Sequence, residues 1–292
     1  MTTTQPRVAL ATSGRGMAYD PDLPLMLRAL DERGVDAVAV AWDDTGFDWA
    51  RCAAVVIRST WDYVERWPRF LEWVDAVSAV TRIDNPAGVV RWNTDKRYLG
   101  DLAAQGVPVV PTRFVAPGEE TPLPEDGHFV VKPAVSAGAR DSARYTPAQH
   151  DLAARHIAAL HRAGSTAMVQ PYLTRIEEGE RALVFLGGVF SHALRKGPVL
   201  GEAGVIDNAR EAHPDLVPHQ PSAAELALAR AALAAVPGRD PLLYARVDLA
   251  RADDGAPVVM ELELVEPNLF TAHSRSGLER FADVVRDRAT AG

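Results

Sequence analysis

Apolar residues recur along this chain in short runs separated by amphipathic stretches, the order produced by a parallel sheet with crossover helices. Val8 to Thr12 is the first run, Pro24 to Arg33 follows at helical period, and Ala37 to Val40 and Ala53 to Ile57 are two further runs. Ligands of a parallel sheet gather at the carboxyl ends of its strands. The third run ends directly in Arg58-Ser59-Thr60-Trp61-Asp62-Tyr63, a dense set of hydrogen-bonding groups at such an end. A loop with a helix cap would carry the same residues.

A helix with Phe70, Leu71, Val74 and Val77 on its apolar side follows, and Asn85-Pro86 breaks it. Trp92-Asn93-Thr94-Asp95-Lys96 opens an amphipathic helix through Tyr98, Leu99, Leu102 and Ala103, which stops at Gly106 before Pro108. Ala116 to Gly127 is a surface connection, after which the strand Phe129-Val130-Val131 delivers Lys132-Pro133 and a loop of small residues. A helix runs from Thr146-Pro147 to about Arg162, and the strand Ala167 to Val169 leads into Gln170-Pro171-Tyr172-Leu173. Arg181 to Leu186 and Val189 to Leu194 form a hairpin around Gly187-Gly188. Ser222 and Glu225 make a capping box for an Ala/Leu-rich helix to Ala235. Leu242 to Leu249 and Pro257 to Leu264 flank the turn Asp253-Asp254-Gly255, and a last helix covers about Ser276 to Arg288.

Composition narrows what these elements can do. The 292 residues, 47% hydrophobic, suffice for two or three packed lobes. A formal charge of -8 with no long basic run argues against a nucleic-acid partner. Cys52 is the only cysteine, so an intramolecular disulfide, a Cys-based zinc site and a dithiol pair are excluded, which suits a reducing cytoplasm. Met1 to Arg7 is polar and no long apolar stretch follows, so neither export nor a membrane partner is expected. A homo-oligomer is left open.

Glu261 and Glu263 alternate with Met260, Leu262 and Leu264, so both carboxylates share one strand face. Asp248 lies on the preceding hairpin strand, where pairing brings it beside them. Three converging carboxylates suit Mg²⁺, a hard ion with oxygen ligands; a solvated sheet face would show the same spacing. Lys132 at a strand end and Lys96 at a helix start are candidate phosphate clamps. The loop holding Ser136, Ala137, Gly138 and Arg140 could present backbone N–H groups to phosphate oxygens, and the segment Gln170 to Leu173 could read adenine as a backbone hinge. No Walker-type phosphate loop, G-x-S-x-G elbow or H-E-x-x-H is present, and His192 reads as a structural strand histidine.

Taken in order, these pieces resemble ATP-grasp enzymes, and the likeness spans almost the whole chain. The resemblance implies an α/β and α+β fold, with an N-terminal parallel-sheet α/β substrate domain (residues 1–93) and two α+β lobes enclosing ATP (94–168 and 169–292). Lys96 matches the first lysine of the family's pattern, Lys132 the second, and Ser136 to Arg140 its phosphate loop. Gln170, Tyr172 and Leu173 fall at the adenine hinge, and Glu177 where a ribose-binding acid is found. Arg246-Val247-Asp248 matches R-x-D, and Glu261-Leu262-Glu263 matches E-x-N except that Glu263 replaces the asparagine. Gly179-Glu180-Arg181 with the hairpin and Arg195 is similar to the glutathione synthetase and RimK-like branch. Arg58 to Tyr63, Arg91 to Lys96, Ser191 to Lys196 and Tyr244 to Asp248 are closer still to a bacterial group that includes O-ureido-serine cyclo-ligases of cycloserine biosynthesis.

The resemblance implies a carboxylate-amine ligase acting through an acyl phosphate on a small amino-acid-like substrate, with ATP and Mg²⁺, closing O-ureido-D-serine into D-cycloserine. Arg246, Lys132 and Arg195 are then the candidate catalytic residues, and Asp248, Glu261 and Glu263 the metal ligands. Arg58, Ser59, Asp62, Tyr63 and Arg181 are the candidates for substrate. The alternatives are an intermolecular amino-acid or peptide ligase of the glutathione synthetase type and a non-catalytic nucleotide-binding protein. An NAD-type oxidoreductase would need a third glycine after Gly14-Arg15-Gly16, where Met17-Ala18-Tyr19 stands instead.

Overall fold

Val8, Ala9, Leu10 and Ala11 are all fully buried, as a strand covered on both faces requires. In the computed structural model, which describes residues 7–209, 215–238 and 241–290, they belong to β1 (Arg7–Thr12). It lies parallel between β2 (Asp36–Ala41) and β3 (Ala54–Ile57), with the short β4 (Ile83–Asp84) at the far edge. The polar start at residues 1–6 lies outside the described residues. Three helices accompany this sheet: α1 (Gly14–Tyr19), α2 (Leu23–Asp31) and α3 (Trp67–Ser78). α4 (Ala87–Asn93) and α5 (Tyr98–Ala104) lead out of it.

A second sheet has the antiparallel order β5-β8-β6-β7, from β5 (Arg113–Val115), β6 (Phe129–Pro133), β7 (Ala143–Tyr145) and β8 (Ala167–Pro171), with α6 (His150–Arg162) packed on it. The third is β11-β10-β9-β12-β13, also antiparallel, from β9 (Glu180–Leu186), β10 (Val189–Lys196), β11 (Val217–Pro218), β12 (Tyr244–Arg251) and β13 (Pro257–Glu263). α7 (Ala223–Ala234), begun by the expected Ser222/Glu225 capping box, covers one of its faces, and α8 (Arg275–Thr290) ends the described chain. Val8 and Leu10 turn toward α2 and α8, whereas Ala9, Ala11, Val55 and Ile57 turn toward Phe70, Val74 and Val77 of α3.

Three local expectations change. Asn85-Pro86 does not pass into a loop: Pro86 caps α4, so Trp92 and Asn93 end that helix and Lys96 sits in the turn before α5. Ser13 starts α1 by accepting a 3.0 Å hydrogen bond from Gly16 N, where the sequence pattern gave only a strand end. β4, β5, β7 and β11, at two or three residues each, are too short to show a period.

β13 is the edge strand of its sheet; the backbone of Pro108 and Val110 pairs with Val259 on its outer side, and side chains complete the rest. Asn93 donates to Leu262 O (2.7 Å) and accepts from Leu264 N (2.7 Å), while Leu262 N donates to the Tyr98 hydroxyl (2.8 Å). Asn85 donates to Tyr244 O and Leu264 O and accepts from Leu243 N. The Tyr244 hydroxyl lies 2.7 Å from both Ile57 O and Val265 O and shares its one proton between them, joining this sheet to the parallel one. Asn93→Leu strands one buried carbonyl and one buried N–H of β13, so we expect a loss of about 2–4 kcal/mol of stability in urea unfolding. A loss under about 0.5 kcal/mol would mean that these bonds do not hold the strand.

Candidate active site

Antiparallel register sets Arg246 opposite Glu263 and Asp248 opposite Glu261, so these four side chains share one face of the sheet. The intervening Val247, Leu249, Leu262 and Leu264 fill the core under α7. Arg246 grips Asp248 with two hydrogen bonds, Nε to Oδ1 at 2.8 Å and Nη2 to Oδ2 at 3.0 Å, and also pairs with Glu263. Its Nη1 donates to Asn268 O (3.0 Å), and its guanidinium carbon lies 5.2 Å from the centre of the Phe270 ring. Lys196, at the end of β10, donates to Asp248 Oδ2 (2.5 Å) and lies 3.1 Å from Glu180. Lys96 lies 3.1 Å from Glu261 and donates to Ser136 O (2.6 Å). Lys132, at the end of β6, completes the set, with Glu261, Lys96 and Glu180 as its charged neighbours.

Burial and pairing compete at each of these groups. Burial disfavours the charges of Arg246 and Lys196, but the facing carboxylates outweigh it and hold both above their usual values. Burial likewise opposes the charge on Asp248, yet Arg246 and Lys196 keep its carboxyl well below the usual range. Glu261 is lowered because Lys96 and Lys132 overcome its burial. Burial pushes Glu263 up to about 7, helped by Asp248 and Glu261 against Arg246. Glu266 rises to about 8 through burial and repulsion from Glu263. Lys132 is lowered by burial and by Lys96.

The other expected residues divide. Ser136 is buried against Lys96, and Gly138 and Ala139 take positive φ angles of 61° and 56° in the turn between β6 and β7. Gln170 is buried and donates to Thr112 Oγ1 (2.7 Å), Leu173 is buried beside Val110 and Ala250, and the Tyr172 hydroxyl donates to the exposed Glu177 (3.1 Å). Arg58 and Ser59 are fully buried at the end of β3. Tyr63 packs on Phe70 with Glu266 among its nearest charges. Asp62 is instead bound to Trp42 Nε1 (2.9 Å) and Arg66, within the packing around α3.

Arg181 and Arg195 are not brought to the carboxylates. They are register partners on the opposite face, where Arg181 lies 3.6 Å from Glu225 of α7 and donates to Gly179 O. Glu180 and Lys196, the next pair, face the site. Lys196 and Glu266 are therefore the residues that sequence reasoning missed. A register shift between Phe190 and His192 resets the phase of β10, and no spacing in the sequence marks it. His192 is structural, its ring bound to Leu269 O (2.8 Å) and Ser191.

Among the described residues no group of three His, Cys, Asp or Glu side chains is arranged as a preformed metal centre. Asp248, Glu261 and Glu263 are each turned to a cation instead. The donor set is nonetheless all carboxylate oxygen, as Mg²⁺ prefers, and Glu263, raised first by burial and then by Asp248 and Glu261, is the carboxyl whose charged form a bound cation would favour.

Known proteins match this chain along its whole described course. Residues 8–85 match the family model described as D-cycloserine synthetase DcsG, N-terminal domain. The cycloserine biosynthesis protein DcsG of Streptomyces lavendulae is 40% identical, over 96% of this chain and 98% of its own length. The crystal structure of D-cycloserine synthetase DcsG superposes with a TM-score of 0.89 at 38% identity, covering 97% of this chain and all of that one. D-alanine–D-alanine ligase from Bacillus anthracis, complexed with ATP, shares the fold at 14% identity, with a TM-score of 0.70 over 99% of this chain and 98% of its own. By its identity over nearly the full length of both chains, this protein belongs to the DcsG family of ATP-grasp ligases.

Proposed function

We propose that this chain closes O-ureido-D-serine into D-cycloserine, using ATP and Mg²⁺ and passing through an acyl phosphate, with ADP, phosphate, carbon dioxide and ammonia as the other products. The observation that carries the reading is the convergence of Arg246, Lys96, Lys132 and Lys196 on one carboxylate-lined face, in a chain so similar to a D-cycloserine synthetase. Residues 1–93 supply substrate groups, and residues 94–168 and 169–292 enclose the nucleotide. A cytoplasmic setting fits the single, buried Cys52.

Phosphoryl transfer needs positioning and charge neutralisation more than covalent help from the protein. Lys96, Lys132 and Lys196 hold phosphate oxygens, and Arg246, fixed by Asp248, stabilises charge on the phosphoryl group in flight. Ser136 to Gly138 cover the phosphates, while Gln170, Tyr172, Leu173 and Glu177 receive adenine and ribose. Asp248, Glu261 and Glu263 would hold Mg²⁺, which would supply positive charge against the phosphates. Once the carboxylate is phosphorylated, the ureido nitrogen of the same molecule attacks at high effective molarity and displaces phosphate, so one substrate pocket suffices; hydrolysis of the carbamoyl group left on that nitrogen consumes one water and releases carbon dioxide and ammonia.

Three outcomes test this. With ATP and Mg²⁺, O-ureido-D-serine alone should release ADP together with the ring product, followed by mass spectrometry. ADP release that needs two different amino acids would favour an intermolecular ligase of the glutathione synthetase type. Asp248→Asn and Glu261→Gln should each lower kcat by at least about tenfold, and Lys132→Ala should abolish most nucleotide binding in calorimetry. Parent-like turnover and binding in these variants would remove the site assignment.

Stability should also depend on pH with a definite sign. Glu263 and Glu266 keep their protons in the folded chain up to about 7 and about 8, against an ordinary 4.5. These two carboxyls therefore cost the Mg²⁺-free protein stability as pH rises from about 5 to about 8; the buried His156 and His192, lowered by desolvation, act in the opposite sense up to about 6.5, so the loss shows most clearly above that value. Asp248, lowered by Arg246 and Lys196, acts in the opposite sense and only in strong acid. Mg²⁺ should raise Tm more at pH 8 than at pH 5, because the cation competes with the proton. A Mg²⁺ shift equal at both values would show that these carboxylates do not bind it.

A further inference from the structure

Beside Arg246 lies a second buried polar cluster that the phosphate chemistry does not use. Arg58 and Asp20 are both completely buried, with Arg58 Nη2 and Asp20 Oδ2 separated by 3.8 Å, too far for a hydrogen bond. Arg58 Nη1 donates to Pro267 O (3.0 Å), but its Nε and Nη2, the adjacent donors of one guanidinium edge, have no partner. Asp20 Oδ1 accepts from Asp22 N (2.9 Å), and its Oδ2 has none. The hydroxyls of Thr60 and Thr271 are also buried and unpaired. Asp22 ties Thr271 into the same place by accepting from Thr271 N (3.1 Å) and Ala272 N (2.8 Å).

Orphaned buried charge of this kind costs stability and calls for a missing partner. The spacing says which. A cationic fork and an anionic oxygen stand side by side without joining, which is the complement of an α-amino acid, where an ammonium and a carboxylate sit on one carbon. Position agrees as well. Arg58 and Arg246 hold the consecutive carbonyls of Pro267 and Asn268, so the free edge of Arg58 belongs to the immediate surroundings of the proposed phosphoryl site.

We propose that Asp20 and the free edge of Arg58 receive the zwitterionic head of the substrate, Asp20 its ammonium and Arg58 the carboxylate that is to be phosphorylated, with Thr271 supplying a further hydrogen bond; this rests on the ligase reading above. Once the acyl phosphate forms, Arg58 keeps hold of the acyl oxygen, whose charge grows as nitrogen attacks. The cluster is covered by α1, whose Gly16 lies so close that an added Cβ would meet Ser59 O at 2.2 Å. Met17 and Tyr19 on that helix are 47% and 74% exposed, so a single layer of α1 separates the end of β3 from solvent.

The test compares wild type, Asp20→Asn, Arg58→Lys and Thr271→Val, with O-ureido-D-serine and its analogue lacking the amino group. Asp20→Asn should raise KM for the ureido compound by about tenfold or more, the worth of a charged hydrogen bond, and leave KM for ATP unchanged. The ureido compound should raise the Tm of wild type and not of Asp20→Asn, while Mg-ATP raises both. The desamino analogue should bind wild type and Asp20→Asn equally weakly. Thr271→Val, a milder change, should raise the substrate KM a few-fold. A folded Asp20→Asn with parent KM, or one that loses ATP and substrate affinity together, overturns the proposal. Should Asp20→Asn not fold, wild type binding the desamino analogue as tightly as the ureido compound overturns it instead. If wild type releases no ADP with the ureido compound, the cyclo-ligase reading fails, and the same comparison decides the pocket with whichever amino acid does release ADP.

Discussion

Carboxylates on one buried sheet face must be matched by cations, and the rest of this molecule is arranged around that constraint. Two charges about 5 Å apart, the spacing of opposed strand residues, repel by about 3 kcal/mol at an effective dielectric of about 20. Asp248 and Glu261 stand in that relation, with Glu263 next along the strand. The cations that answer them come from four places: Arg246 on β12, Lys196 at the end of β10, Lys96 in the turn before α5, and Lys132 at the end of β6. Both α+β lobes thus point a charge at one spot, and drawing the lobes together and building the site are one act. Burial, with repulsion among the carboxylates, raises Glu263 and Glu266 despite these cations.

A face charged in this way needs a strand that cannot shift, because a slip of one residue would turn Glu261 and Glu263 into the core. β13 pairs with β12 along one side, and on the other the backbone of Pro108 and Val110 bridges to Val259 near its start. Asn93 and Tyr98 complete the other side through the backbone of Leu262 and Leu264, the residues that alternate with the two acids. A further strand there would fill the space through which Lys96, in the turn between Asn93 and Tyr98, reaches Glu261. Side-chain amides and a phenol therefore fix the register while leaving a way in for a cation.

How much of this was legible depended on whether period and polarity coincided. Glu261 and Glu263 announced their common face because apolar neighbours alternate with them, and the Asp253-Asp254-Gly255 turn placed Asp248 opposite. On β9 both faces are buried, so alternation carried no contrast, and on β10 the register shift at Phe190/His192 set the phase out of sight. Arg195 was expected at the site where the structure puts Lys196. Asp62 was expected to meet substrate, yet the Trp42 indole and Arg66, four residues on, hold its carboxylate. Asp20 carried no signal, since its meaning depends on Arg58 reaching it across the end of the parallel sheet.

The proposed phosphate loop joins these parts. Ala139 and Asp141 hold positive φ angles of 56° and 52°, a conformation that costs side-chain-bearing residues about 1–2 kcal/mol each and persists only when surroundings enforce it. The enforcement comes from both sides: Arg140 pairs with Glu65 beyond β3, and Asp141 exchanges two 2.8 Å hydrogen bonds with Asn208 beyond β10. Gly204 N adds a 2.8 Å bond to Arg144 O. The loop is thus flanked by contacts from both the parallel-sheet domain and the C-terminal lobe. An acyl phosphate is wasted by any water that reaches it. The segment proposed to cover the phosphates is therefore built beside the domain that carries Asp20 and Arg58, so water exclusion and substrate binding share one neighbourhood.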